Sequence, residues 1–68
     1  MEKDWICIYS SVYLHKVEIV KAVLNENDIP AVIINKQDSS YSSIGEIELY
    51  VNLDNEVLSR FLISENSL

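Results

Sequence analysis

The chain has 68 residues, eleven acidic and five basic side chains, a formal net charge of -6 and 49% hydrophobic residues. That length admits one domain with a thin core, and that apolar fraction excludes an intrinsically disordered chain. The acidity weighs against nucleic acid and against an anionic membrane surface, which both call for clustered basic groups, and the single Cys7 rules out an internal disulfide.

The opening segment, MEKDWICIYS, lacks the basic start of a secretory signal, and Asp4 stands where its apolar run would begin. No apolar stretch approaches the roughly 20 residues that span a bilayer. With one unpaired cysteine, the expected location is the cytoplasm.

Residues 5–9, WICIY, are β-branched and aromatic and read as a first strand. Trp5, Cys7 and Tyr9 alternate with Ile6 and Ile8, so the strand is apolar on both faces and calls for cover on both. Ile6 and Ile8 are the natural pair beneath a helix, which turns Trp5, Cys7 and Tyr9 to the open face of the sheet. The reverse phase exposes the isoleucines instead.

Ser10 or Ser11 is placed to cap a helix that runs to about Asn27. At about 100° per residue, Val12, Tyr13, Val17, Ile19, Val20, Val23 and Leu24 fall within an arc of roughly 160°. His15, Glu18, Lys21, Asn25 and Glu26 lie outside it, and Lys16 lies inside, where its stem can rest on apolar surface. The polar stretch 25–28 (NEND) ends the helix, with Asn27 as the candidate left-handed residue. Pro30 then biases Ile29 towards extended backbone.

Residues 31–35 form a second strand, and 36–43 (KQDSSYSS) a polar loop that Gly45, the only glycine, closes. In 46–52 (EIELYVN), Ile47, Leu49 and Val51 alternate with Glu46, Glu48, Tyr50 and Asn52, giving a third strand with one buried and one wet face. Asp54 is placed to cap a second helix whose inward side carries Val57, Leu58, Phe61 and Leu62. Residues 64–68 read as a frayed tail, with no internal repeat or linker.

This order predicts an α+β, ferredoxin-like β-α-β-β-α domain over residues 1–68, with an ordered core at about 4–63. A right-handed crossover joins strands one and two in parallel, strands two and three form a hairpin, and both helices cover one face of a three-stranded sheet of order 2-3-1. Strand one is then an edge, because the fourth strand that would flank it is missing.

The opening strand, the segment VEIVKAVLNEND (17–28), the residues IPAVI that follow it, the strand IELYV (47–51) and the acidic helix start LDNEV (53–57) resemble the small bacterial domain of unknown function 2007 family, whose label is prokaryotic signal transduction. The resemblance covers about residues 4–63. It implies a ferredoxin-like fold related in shape to nitrogen-regulatory signal proteins. It brings no catalytic residue to map, and the chain lacks a phosphate-cradling glycine loop and the long regulatory loop of those proteins.

His15 and Glu18 stand one helical turn apart, but no third His or Cys completes a metal site, and no cofactor is expected. A catalytic Cys7–His15 pair would need a reactive thiol, and Cys7 on an apolar strand is an inert one. No set of acid, base and nucleophile emerges, so a non-enzyme is expected. Tyr41 in the polar loop is a candidate partner anchor or modification site. Glu46, Glu48, Asp54 and Glu56 read as a solvated face and a helix start. Trp5, Cys7 and Tyr9, joined by Tyr50, form the candidate interaction surface. The expectation is a regulatory or protein-interaction module that pairs with itself or another protein through the strand-one edge or the open sheet face. The alternative is a small-molecule sensor with its ligand between subunits or against the 36–45 loop.

Overall fold

Strict alternation makes EIELYVN the centre of the sheet. The computed structural model describes residues 4–37 and 45–68. Its elements are β1 (Trp5–Ser11), α1 (Leu14–Glu26), β2 (Ala31–Asn35), β3 (Ile47–Asn52), a 3-10 turn (Leu53–Asn55) and α2 (Glu56–Glu65). The three strands form one sheet of order β1-β3-β2, with β1 and β2 each antiparallel to β3. The expected order 2-3-1 is therefore present, and β1 is an edge. Ile47, Leu49 and Val51 are fully buried beneath the helices. Ile6 and Ala31 flank Val51 in register, and Tyr9 and Ile33 flank Leu49.

Tyr9 departs from the expectation that placed it on the open face. A register shift between Cys7 and Tyr9 puts an extra residue in β1. Such a bulge sets two residues against one and resets the alternation. Ile6 and Tyr9 pack against the core beside the buried Ile8, while Trp5 and Cys7 keep the outward phase.

Helix α1 buries Val17, Val20 and Leu24 and is narrower in its contact than the expected stripe. Val12 and Tyr13 precede it and are exposed, and Ile19 is half exposed, because a three-stranded sheet covers less than 160° of a helix. Ser10 and Ser11 belong to β1, and the Ser11 hydroxyl accepts the Tyr13 N–H at 3.1 Å instead of capping the helix. At the far end Asp28, not Asn27, takes the left-handed conformation, with φ 62°. The Ile29 N–H donates to the Leu24 carbonyl and the Asp28 N–H to that of Asn25, both at 3.0 Å. This is a Schellman ending, whose hydrophobic contact joins the buried Ile29 and Leu24.

The same device ends α2. Ser67 has φ 55°, the Leu68 N–H donates to the Ile63 carbonyl at 3.0 Å, and the Ser67 N–H to that of Ser64 at 3.2 Å. Asn27 and Asn66 each donate a side-chain amide to the carbonyl four residues back, at 2.9 and 2.8 Å. LNENDI (24–29) and ISENSL (63–68) are thus one motif used twice. The expected frayed tail is an ordered helix ending, invisible to hydrophobic periodicity because the motif is mostly polar.

The second helix is entered through the 3-10 turn. The Asn52 side chain accepts the Asp54 N–H at 2.9 Å, so Asn52, not Asp54, supplies the cap. The Leu53 N–H donates to the Asp4 carbonyl at 2.6 Å and fastens the turn to the start of β1. Both helices contact β1 and β3 and each other, which puts them on one face of the sheet.

Candidate interaction surfaces

The turn that starts α2 fixes its rotation, and the result inverts the expected amphipathicity. Ser59 is the buried residue of the helix, while Leu62 and Ile63 pack against the core. Val57, Leu58 and Phe61, expected inward, are 82%, 47% and 57% exposed. Taking Val57 as zero, Phe61 and Leu58 lie at about 40° and 100° around the helix, and Ser59 at about 200°. The apolar stripe is therefore on the side away from the domain. Leu53, half exposed, extends it at the helix entrance. Glu56 and Arg60 border it and pair with each other at 3.1 Å, one turn apart.

The open sheet face carries Trp5, Cys7 and Ser10 of β1, Glu48, Tyr50 and Asn52 of β3, and Val32 and Ile34 of β2. Cys7, Tyr50 and Val32 form one row across the sheet, so Cys7 stands directly beside Tyr50, and Trp5 lies one pair further along beside Asn52. Trp5, Cys7, Tyr50 and Ile34 are half-buried, Val32 is exposed, and among the described residues no helix or strand covers this face. A polar cluster crosses the same face. Oε1 of Glu48 accepts the Tyr50 hydroxyl at 2.8 Å and lies 3.1 Å from the Lys36 ammonium. The Tyr50 hydroxyl, followed by Lys36, holds the Glu48 carboxyl below its usual range. The Glu48 carboxylate in return raises Lys36 and Tyr50, in each case first through the hydrogen bond.

The edge of β1 has its own chemistry. The Leu53-to-Asp4 hydrogen bond fixes the phase of the β1–β3 ladder. In an antiparallel ladder the bonded pairs alternate, so Ile6 faces Val51 in a bonded pair. The backbone N–H and C=O of Trp5 and Cys7 then point to the outer edge. Among the described residues no strand pairs with that side. The Cys7 thiol donates to the Tyr9 carbonyl at 3.4 Å and is free of any disulfide.

A cleft of ≈ 400 Å³ lies between α1 and the end of α2, lined by Tyr9, Lys16, Ile19, Val20, Ser67 and Leu68. The Lys16 ammonium sits 5.2 Å from the Tyr13 ring centroid, and the His15 ring is 5.9 Å from the same ring. Among the described residues no group of three His, Cys, Asp or Glu side chains converges on a metal position. Tyr41 and most of its loop lie outside the described residues. Among the described residues no helix is long and apolar enough to cross a membrane.

Trp5, Cys7 and Tyr50 thus share one face, Tyr9 has left it for the core, and the apolar stripe of α2 was missed. The signal for that stripe was present in the sequence. Val57, Leu58, Phe61, Leu62 and Ile63 wrap most of the way around a helix, which leaves two possible inward faces, and the small Ser59 lies opposite Val57.

A family model described as "DUF2007: Putative prokaryotic signal transducing protein" matches residues 5–65. Neither a curated protein nor a solved structure matches the chain.

Proposed function

The chain belongs to this prokaryotic signal-transducing family, and from that premise we propose that it is a non-enzymatic regulatory module that associates with a second copy of itself through the edge of β1. The fold is read as a ferredoxin-like split β-α-β arrangement without its last strand. The second copy's β1 then occupies the place beside β1 that the fourth strand would fill. The observation that carries this reading is the outward backbone of Trp5 and Cys7 on an edge strand that is apolar on both faces. Unpaired strand edges are templates for added strands, and main-chain hydrogen bonds supply the affinity.

Sedimentation equilibrium over a wide concentration range tests the reading. Wild type is expected to dimerise, and Trp5→Asp, a charge at the start of the edge, to weaken association by about tenfold or more while its circular dichroism stays native. Association unchanged by Trp5→Asp would rule out the β1 edge.

The cleft favours a second reading, small-molecule sensing, because its mixed polar and apolar lining includes one cationic side chain, Lys16. A thermal-shift screen with small anionic metabolites tests it. A saturable rise in melting temperature that disappears in Lys16→Ala supports sensing, and no saturable shift excludes it for the compounds used.

A further inference from the structure

We propose that the outward stripe of α2 is a second layer of the same interface, covered by α2 of the second copy. This rests on the β1 pairing above and adds to it a surface, a partner element and an arrangement. Strand β1 lies at one end of the sheet, and α2 packs over β1 and β3. Two β1 edges paired about a twofold axis stand about 4.8 Å apart. A helix seated over β1 and β3 is then within about one strand spacing of the axis. The two α2 axes come about 10 Å apart, close to the 8–10 Å at which helices pack.

The rotation of α2 suits this placement. Ser59 is buried against the rest of the domain, so Val57 and Phe61 on the opposite side turn away from α1 and the sheet. The exposed apolar surface of Leu53, Val57, Leu58 and Phe61 is on the order of 400 Å² per copy, the size of patch that marks an interaction site on a small monomer. A stable interface takes about 800 Å² per partner. The stripe alone falls short, and the β1 edge with Trp5 supplies the remainder. That shortfall ties the stripe to the same partner as the edge. Of the charges around the stripe, Glu56 and Arg60 at its border neutralise each other, while the exposed Glu65, at about 80° on the same helix, stands at its C-terminal end. The Glu56–Arg60 pairing matters for a chain of net charge -6 meeting its own copy.

The test is a single cysteine on the stripe, Val57→Cys in a Cys7→Ser background, treated with a short bis-maleimide across a dilution series. Val57 is 82% exposed, so the change does not disturb the core, and a serine hydroxyl can replace the Cys7 thiol as donor to Tyr9. Glu26→Cys, at the end of α1, is the control. Linked dimers are expected from Val57→Cys at concentrations where Glu26→Cys gives none. Phe61→Glu is expected to weaken association by about tenfold or more with native circular dichroism. Dimers that persist without linking through position 57, and that Phe61→Glu leaves intact, would overturn the α2 layer and leave the β1 edge standing. A chain that is monomeric at every concentration would overturn both.

Discussion

Replacing Ser59 with alanine should stabilise this domain. The Ser59 side chain is fully buried, and its hydroxyl has no hydrogen-bond partner among the described residues. Protein mutational data put the cost of such a group at about 1–3 kcal/mol. Alanine is also the better helix former, by about 0.5 kcal/mol. The lost oxygen leaves a gap smaller than a methyl group, which returns up to about 1 kcal/mol. The net expectation is a gain of about 1–2 kcal/mol, or roughly 5–15 °C in Tm for a chain of this length. Urea unfolding at protein concentrations low enough to keep the chain dissociated reads it directly, with an unchanged m-value showing that the end states are comparable. The companion variant is Phe61→Ala. With Phe61 more than half exposed, its loss should cost the monomer no more than about 1 kcal/mol, against about 3–5 for a buried phenylalanine. A neutral or destabilising Ser59→Ala together with a Phe61→Ala cost near 3 kcal/mol would show that α2 turns its other face inward, and the account of the stripe would fall.

A Cβ on Gly45 would collide with the backbone carbonyl of Lys36, which the neighbouring chain cannot withdraw while the Lys36 N–H is bonded to Glu46. Gly45→Ala should therefore cost about 1–3 kcal/mol in the same unfolding assay, and a neutral result would refute the close approach. The Glu48 cluster predicts a pH dependence of stability in two limbs. The lowered Glu48 carboxyl contributes stability that is present above its ordinary value of 4.5 and is lost as pH falls through the lower folded value. The raised Lys36 and Tyr50 contribute stability that is present below 10.5 and 10.0 and is lost as pH rises through their folded values. Glu48→Gln should flatten both limbs of the stability profile relative to wild type, and an unchanged profile would show that the cluster is not formed in solution.

The strands were legible because their signal is local. IELYV announces its buried face by alternation alone, and the polar stretch with Pro30 fixes the turn into β2. The strand order followed from the connections. Three features were not legible, each for a definite reason. The bulge that carries Tyr9 inward is a property of the pairing between β1 and β3 and leaves no mark in WICIY. The helix endings depend on one left-handed residue, which fell on Asp28 and Ser67 with no glycine to signal it. The rotation of α2 is set by the Asn52 cap and the Leu53-to-Asp4 bond, both outside the helix. The helix itself carries apolar residues on two faces, so periodicity could not choose between them.

Association through the edge of β1 can be read from amide hydrogen exchange at Trp5 and Cys7 measured at low and high protein concentration. Their N–H groups face outward from the sheet, so in the monomer they should exchange fast. Both should become protected as concentration rises, together and with the same midpoint as the change in molar mass. Exchange at Trp5 and Cys7 that stays fast while the molar mass doubles would place the interface elsewhere and contradict association through this edge.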